Sequence, residues 1–212
     1  MTNPMTEAGQ PRLLGATLPV VETFHSVQGE GTWTGTSAFF IRLAGCDVGC
    51  PWCDTKESWN PRRHPHWSVA DLVAAATAAQ PAIAIITGGE PLMHDLTELS
   101  QGLQANGLPV HLETSGAHPF SGRFQWVTFS PKPTKAPHAS IYPQVSELKV
   151  VVATPADLEW AEAQAAKLPA STPKFLQPAW GNPDSYALIF AYVLKQPNWR
   201  ISLQTHKFTQ IR

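Results

Sequence analysis

Apolar and β-branched residues recur along the chain in short runs that alternate with amphipathic segments. These runs predict strands at Ser37–Leu43, Ala82–Thr87, Pro109–Thr114, Gln125–Ser130, Glu147–Val152, Lys174–Gln177 and Arg200–Gln204. Helices are predicted between several of them, over Ser68–Ala79, Asp95–Asn106, Pro155–Lys167 and Asp184–Leu194. Strands that alternate with helices indicate parallel βαβ units, arranged either as an open sheet or as a barrel.

Polar, glycine-rich or cysteine-rich segments follow most of the predicted strands. They are Cys46–Cys53, Thr87–Pro91, Glu113–Gly116, Ser130–Lys132, Gln177–Pro178 and Gln204–His206. The carboxyl ends of parallel strands meet at one rim, where the ligands of such folds bind. Any one of these segments is compatible with an ordinary turn, but the whole set in phase predicts a single ligand site.

Composition limits the classes of protein to which this chain can belong. With 212 residues, of which 43% are hydrophobic, we expect one globular domain, residues 20–212, preceded by a flexible tail, residues 1–19. A net charge of −1 argues against nucleic acid or a membrane surface as a partner. No apolar stretch approaches the roughly 20 residues of a membrane helix. The polar N-terminus does not resemble a secretion signal, so we expect a cytoplasmic protein.

All three cysteines lie close together, as Cys46, Cys50 and Cys53. Three thiolates in one short loop favour a soft metal. A four-iron cluster normally takes four cysteines, so a cluster bound here would leave one iron free to bind another ligand. An open coordination position is typical of reactive metal sites rather than structural ones.

Three other interpretations of the cysteines remain open. A disulfide is one, although the reducing cytosol disfavours it. A zinc site is the second, with His25, His64 or His66 as the fourth ligand. The third is a set of small buried side chains, against which Pro51 and Trp52 argue.

The cysteine spacing, with aromatic Trp52 before the last cysteine and Gly88-Gly89-Glu90-Pro91 after the next strand, resembles the radical S-adenosylmethionine (SAM) superfamily. The resemblance implies an α/β fold, a partial βα barrel of mostly parallel strands with a reduced number of helices. It also implies a [4Fe–4S] cluster on the three cysteines, with SAM on the open iron. The two glycines would let the backbone approach the methionine part of SAM. The alternative is a tight turn with Glu90 at a helix N-terminus.

A finer resemblance covers nearly the whole chain. The segments Phe24–Gly31, Phe40–Cys46, Trp52–Lys56, Glu113–Gly116, Ser130–Lys132 and Leu203–Lys207 are similar to the 7-carboxy-7-deazaguanine synthase family. This implies the conversion of 6-carboxy-5,6,7,8-tetrahydropterin to 7-carboxy-7-deazaguanine, with loss of ammonia, by a radical ring contraction on the route to queuosine. It further implies Mg²⁺, a homodimer, and a flavodoxin or ferredoxin as reductant. The alternative is another radical SAM enzyme, such as an activase of a glycyl-radical enzyme.

The same resemblance assigns site residues. The cluster ligands would be Cys46, Cys50 and Cys53, and Thr55 would bind Mg²⁺. SAM contacts would come from Trp52, Cys53, Asp54, Gly89, Ser115, Ser130, Pro131, Lys132, Gln177, Pro178, Ala179 and Trp180. The pterin would contact Val27, Gln28, Gly29, Glu30, Arg42, Thr87, Glu113 and His206.

Chemical arguments also apply to three of these residues. Arg42 lies inside an apolar strand, where an unpaired cation is costly to bury, so we expect the substrate carboxylate as its partner. Glu113 would accept hydrogen bonds from the amino and ring N–H edge of the pterin. His206 would assist with the carboxylate or the ring, and a buried core histidine is the alternative.

Overall fold

The fold is one mixed sheet with helices packed against it, described for residues 15–211 in a computed structural model. The strands are β1 (Thr17–Val27), β2 (Ser37–Leu43), β3 (His66–Ser68), β4 (Ile83–Gly88), β5 (Val110–Thr114), β6 (Trp126–Phe129), β7 (Glu147–Val152), β8 (Lys174–Pro178) and β9 (Trp199–Ile201). The helices are α1 (Val69–Ala79), α2 (Thr97–Ala105), α3 (Pro155–Ala165), α4 (Pro183–Lys195) and α5 (Thr205–Thr209).

The order across the sheet is β3-β1-β2-β4-β5-β6-β7-β8-β9. From β2 onward every neighbouring pair is parallel, whereas β1 is antiparallel to both β2 and β3. α-Helices follow β3, β4, β7, β8 and β9, but in the described part of the chain no α-helix lies between β5 and β6 or between β6 and β7, where only a 3₁₀ helix (Ala139–Gln144) occurs. The predicted partial βα barrel with few helices is therefore confirmed.

Successive residues of the parallel strands face opposite sides of the sheet. Leu148, Val150 and Val152 of β7 join the main hydrophobic core against the helices, together with Leu112 of β5 and Ile86 of β4. The alternate residues face the concave side. There a smaller apolar cluster of Ala38, Phe40, Ile83 and Ile85 packs with Phe24 and Trp33. The polar residues that interrupt the apolar strands lie on this same concave face.

Several predicted boundaries need correction. The long strand β1 was not predicted, and neither was the short β3. Because Thr17–Pro19 pair with β3, the ordered fold begins before residue 20, and the proposed tail extends three residues too far. Residues 1–14, the rest of that tail, lie outside the described residues. The last strand ends at Ile201 rather than at Gln204.

Helix starts follow the local capping signals. The Ser68 hydroxyl accepts from the Asp71 N–H at 3.1 Å, which satisfies one donor of the first turn of α1. At α3, the Asp157 carboxylate accepts from the Thr154 N–H at 2.8 Å and from the Thr154 hydroxyl at 3.0 Å, and Pro155 occupies the first helical position. Within residues 15–211 no helix has the length and apolar character needed to cross a bilayer.

The segment after β1 connects distant parts of the sheet. The Gly31 N–H donates to the Ser202 hydroxyl at 3.0 Å, and the Thr205 N–H donates to the Gly29 carbonyl at 3.0 Å. The Thr32 N–H donates to a Glu147 carboxylate oxygen at 3.0 Å. Loop contacts, rather than strand pairing, thus connect β1 with β7 and the end of β9.

Candidate active site

A cavity of about 490 Å³ opens on the concave side, at the carboxyl ends of the parallel strands. Its lining includes every site residue predicted from the sequence except Pro131. Pro131 is buried, and its carbonyl accepts from the Trp160 indole N–H at 3.4 Å. The prediction of a single site at this rim is supported by this geometry.

The cysteine loop follows β2 directly and borders the cavity. Cys46, Cys50 and Cys53 are all free thiols and all line the cavity. Backbone hydrogen bonds fix the loop from behind, since Gly45 donates to Ser58 at 2.7 Å. Burial raises the pKa of the Cys46 and Cys50 thiols. Metal binding would therefore stabilise the thiolate forms that burial disfavours.

The three candidate zinc histidines are engaged elsewhere. His25 Nε2 lies 2.8 Å from the Ser37 hydroxyl, and His64 Nε2 lies 2.8 Å from the Glu57 carbonyl. His66 Nδ1 lies 3.4 Å from the Thr17 hydroxyl, and none of the three belongs to the cavity lining. The zinc interpretation therefore lacks its proposed fourth ligand.

The donor set fits a cluster better than a single ion. Across residues 15–211 no three His, Cys, Asp or Glu side chains are placed to hold one metal ion. In a cubane each thiolate binds a different iron, so its sulfurs lie farther apart than the ligands of one ion. Three free thiols on the wall of one cavity are compatible with that larger group.

The Gly88-Gly89 pair lies against the cysteine loop. Gly88 has φ +145°, and a Cβ there would lie 2.1 Å from the Leu43 carbonyl oxygen. A Cβ on Gly89 would lie 2.4 Å from the Gly45 carbonyl oxygen and 2.8 Å from the Cys46 Cβ. Both glycines are therefore required for the contact between two loops of the site, a reason that sequence reasoning had not identified.

Glu90 fixes the same turn from its other side. It is 1% exposed and caps a short 3₁₀ turn, where Oε1 accepts from the Leu92 N–H at 3.0 Å and from the Thr114 hydroxyl at 2.5 Å. Oε2 accepts from the Ser115 N–H at 2.8 Å and from the Ser115 hydroxyl. The carboxylate thus connects the end of β4 to the end of β5, and the predicted SAM contact Ser115 is one of its donors.

Glu113 projects from β5 into the cavity and is held by two neutral donors. The Gln28 amide donates to Oε1 at 2.8 Å, and the Thr87 hydroxyl donates to Oε2 at 3.1 Å. A carboxylate has about four acceptor positions, so both oxygens keep capacity for a ligand. Three of the eight residues predicted to contact the pterin, Gln28, Thr87 and Glu113, are thus brought together here.

Glu30 meets a residue that sequence reasoning missed. Lys149 of β7 is buried, its Nζ contacts Glu30 Oε2, and it lies 3.9 Å from Glu113 Oε1. The Gln204 amide donates to Glu30 Oε1 at 3.0 Å. Burial alone would lower the pKa of Lys149, but the charges of Glu30 and Glu113 outweigh it and raise that pKa.

Arg42 has an anionic partner within the chain. Its Nε donates to Glu22 Oε1 of β1 at 3.0 Å, and both side chains line the cavity. The argument that Arg42 needs the substrate carboxylate to be buried is therefore wrong, because Glu22 already neutralises it. Arg42 nevertheless remains part of the cavity lining.

The opposite wall contains the residues predicted for SAM. Lys132 Nζ donates to the Ser130 carbonyl at 2.5 Å and lies 5.6 Å from the centre of the Trp52 ring. Burial lowers the pKa of Lys132. Lys207, which was not predicted, donates to Asp54 at 2.8 Å and lies 5.0 Å from the centre of the Trp180 ring.

His206 packs against the turn that carries the pterin contacts. A Cβ on Gly29 would lie 2.2 Å from His206 Nδ1, so a glycine is needed for the histidine to fit. Burial lowers the pKa of His206, which favours the neutral ring. Thr55 lines the cavity beside the last cysteine, and its hydroxyl donates to Asp54 at 3.2 Å.

Three site residues were not predicted from the sequence, and for the same reason. Lys149, Gln204 and Lys207 reach the cavity through contacts with residues more than one hundred positions away in the chain. Buried Lys149 could have been found by the reasoning applied to Arg42, a cation inside an apolar run. Nothing local indicates Gln204 or Lys207.

Comparison with known proteins gives consistent matches. The model of the Radical SAM superfamily matches residues 40–123. The chain is 53% identical to the 7-carboxy-7-deazaguanine synthase of Synechocystis sp., over 94% of this chain and 96% of that protein. The protein of the same name from Flavobacterium psychrophilum is 48% identical over 93% and 94%. The crystal structure of QueE from Escherichia coli has a TM-score of 0.79 and 32% identity, and the match covers 88% of this chain and 93% of that one.

Proposed function

The chain belongs to the 7-carboxy-7-deazaguanine synthase family of the radical SAM superfamily, and we propose that its cavity converts 6-carboxy-5,6,7,8-tetrahydropterin to 7-carboxy-7-deazaguanine and ammonia. The observation that carries this proposal is the shared wall of the cavity. Three free thiols lie on the same cavity as two acceptor carboxylates and an arginine. A glycyl-radical activase, the alternative from the sequence, would not require that acceptor pair.

The cysteine loop fits the [4Fe–4S] cluster of the superfamily, with Cys46, Cys50 and Cys53 as ligands. When bound, the cluster and SAM would supply the one-electron chemistry that generates a carbon radical. The chain's own residues would hold the two reactants next to each other in one cavity.

On the substrate side, Glu113 and Glu30 would accept the amino and ring N–H groups of the pterin. Gln28, Gly29 and Val27 would line the ring, with Thr87 beside Glu113. Arg42 would bind the substrate carboxylate through the guanidinium nitrogens that Glu22 leaves available. His206 would contact the ring or its carboxylate as a neutral donor.

We assign Mg²⁺ to Thr55, a residue of the cavity lining. Hard divalent cations favour oxygen ligands and keep several from substrate or water, so one protein hydroxyl together with the substrate carboxylate is a reasonable set. The support is the position of Thr55 between the cysteine loop and the cavity.

On the SAM side, Gly89, Ser115 and the Trp52–Asp54 backbone would hold the methionine part. The segment Gln177–Trp180, at the end of β8, would contact the adenosine part, together with Ser130–Lys132. Pro131 would act through its backbone, since its side chain is outside the cavity lining.

A single anaerobic incubation tests the activity. The reconstituted chain, SAM, dithionite, Mg²⁺ and 6-carboxytetrahydropterin should yield a product with the mass of 7-carboxy-7-deazaguanine. Cys50→Ala should abolish both product formation and SAM cleavage. Substitutions of exposed residues outside the cavity should abolish neither. Turnover retained by Cys50→Ala, or SAM cleavage without the deazapurine, would overturn the proposal.

A homodimer is proposed through the outer face of α4. Phe190 and Leu194 are 60% and 73% exposed, and Ile201 of edge strand β9 lies nearby. Asp184 lies in the first turn of α4 and Lys195 in its last turn. Two copies related by a two-fold axis would pair these charges while covering the apolar side chains.

We also propose a flavodoxin or ferredoxin as reductant, in the cytoplasm. Gly49 and Pro51 expose the outer edge of the cysteine loop, and Arg62 and Arg63 lie in an exposed turn beside it. The adjacent Pro61 would lie 3.8 Å from a Cβ on Gly45, next to the first cysteine. A basic turn at this place would favour an electron donor with an acidic surface.

A further inference from the structure

Lys149 is a cavity residue without an assigned role. It is 5% exposed and lies on the concave face of β7, the same face of the strand as Glu147 and Val151. Its Nζ contacts Glu30 and lies 3.9 Å from Glu113, the two carboxylates proposed for the pterin. One ammonium is therefore shared by both proposed acceptors.

Neutral side chains also donate to the two carboxylates and leave acceptor positions for a ligand. Gln204 donates to Glu30, while Gln28 and Thr87 donate to Glu113. These hydrogen bonds orient the groups but do not balance their charges. Lys149 is the cation placed between them.

The charge matters because two carboxylates on one cavity repel each other. Without a shared cation, one of such a pair usually takes up a proton, and a protonated carboxyl presents an O–H donor. The edge of a pterin that Glu30 and Glu113 would read also presents N–H donors. A protonated carboxyl would place its O–H donor against an N–H donor of the pterin and weaken binding. Both carboxylates therefore need to stay ionised.

The surroundings agree with this requirement. Burial alone would raise the pKa of Glu30, but the charge and hydrogen bond of Lys149 outweigh it and the pKa lies below its usual range. Glu147 and Lys132 also act on Lys149, and His206 acts on both carboxylates. His111, below Glu113 on β5, is largely neutral and adds little charge.

We propose that Lys149 is a positioning residue for pterin recognition, holding Glu30 and Glu113 as a fixed pair of ionised acceptors for the N–H edge of a 2-amino-4-oxopyrimidine ring. This role rests on the proposed function. Lys149 acts through the two carboxylates and need not touch the substrate itself. The proposal predicts a pH effect that a purely structural lysine would not produce.

The test is fluorescence titration of the full chain with 6-carboxypterin, a stable oxidised form of the proposed substrate. Affinity is measured at about pH 5.5 and about pH 7.5, which bracket the range in which an unshielded carboxylate pair takes up a proton. Lys149→Met should weaken binding by roughly 10- to 100-fold, the loss expected when charged hydrogen bonds are misaligned. The loss should be greater at the lower pH, whereas wild-type affinity should change little.

Two further variants separate charge from structure. Lys149→Arg keeps the charge, so its binding should stay insensitive to pH even where its size lowers affinity. Lys149→Met/Glu30→Gln removes one carboxylate with the lysine, so this chain should fold even where Lys149→Met does not, and bind weakly at both pH values. Lys174→Met, a β8 lysine whose Nζ lies 3.1 Å from the Ala170 carbonyl, is the matched control and should bind as wild type.

The outcomes distinguish this role from the proposed function. A wild-type chain that neither binds 6-carboxypterin nor forms the deazapurine overturns the function, and the role with it. A wild-type chain that binds, together with a Lys149→Met chain of equal affinity, overturns the role alone. A loss in Lys149→Met that is the same at both pH values also overturns it, because the charge would then be irrelevant.

Discussion

Replacing Glu90 by glutamine would test why the turn after β4 requires a carboxylate. The two oxygens of Glu90 accept four hydrogen bonds, two on each oxygen. The donors are the Leu92 N–H, the Thr114 hydroxyl, and the N–H and hydroxyl of Ser115. An amide keeps one acceptor oxygen and places an NH₂ group at the other position. That NH₂ group would face two donors whichever way the amide is turned.

The expected cost follows from this count. Each hydrogen bond to a charged group contributes about 1.5–3 kcal/mol, so the loss of two at a buried position predicts a destabilisation of roughly 3–6 kcal/mol. For a domain of this size, that corresponds to a decrease in melting temperature of roughly 6–24 °C. The hydroxyls of Thr114 and Ser115 can rotate, and such relaxation places the expected value toward the lower end.

The assay is urea unfolding of cluster-loaded protein under anaerobic conditions, followed by tryptophan fluorescence. Glu159→Gln, at an exposed position of α3, is the matched control and should shift the free energy of unfolding by less than about 0.5 kcal/mol. Since Glu90 holds Ser115 beside Gly89, Glu90→Gln should also raise the KM for SAM. A destabilisation below about 1 kcal/mol with unchanged KM would refute the reasoning.

Four other changes test separate parts of the molecule. Burial lowers the pKa of His111 to about 4 from 6.5, so below pH 6.5 the unfolded chain takes up a proton that the folded chain does not. Stability should therefore fall by up to about 3 kcal/mol between pH 6.5 and 4, and urea unfolding of His111→Phe across that range should show a shallower decline. Thr55→Ala should raise the Mg²⁺ concentration for half-maximal activity about tenfold while Thr55→Ser does not, and equal curves would contradict the Mg²⁺ assignment. Arg42→Lys should raise the KM for the pterin about tenfold through loss of the forked contact, with the KM for SAM unchanged, and a steady-state titration of both substrates would show any other pattern. Phe190→Glu should convert a dimer to a monomer in light scattering, and an unchanged mass would exclude the α4 face as the interface.

The strands of the barrel could be predicted because their helix-facing positions are continuously apolar. In β2, β4, β5 and β7, every second residue is apolar and buried against the helices. Short runs of this kind are a strong local signal for a strand. β1 was missed because many of its side chains are only partly buried, and Pro19 interrupts it near its start. Its place in the sheet depends on pairing with β2 and β3, which local patterns do not encode.

The site could be predicted in outline for a different reason. The cysteine spacing, the paired glycines and the glutamates are motifs whose chemistry is visible in a few consecutive residues. The partners of those residues are not local. Lys149 meets Glu30 across 119 positions, and Gln204 meets it across 174, so the charge balance of the cavity appears only once the sheet is formed.

The register of the sheet explains why the polar exceptions converge instead of scattering. Arg42 is paired with Thr87, Glu113 with Thr128, and Thr128 with Glu147, so these residues form one layer around the concave face. Residues paired in a parallel sheet point to the same side, and a shift of one residue would send every one of them into the helix-facing core. An unpaired charge in that core would cost several kcal/mol, so the apolar alternation that builds the core also fixes the phase of the site. A polar residue in a buried strand therefore indicates a site only when the face of the sheet on which it lies is also known. Lys149 lies two positions from Glu147 on the same face of β7, so it belongs to the next layer of that site.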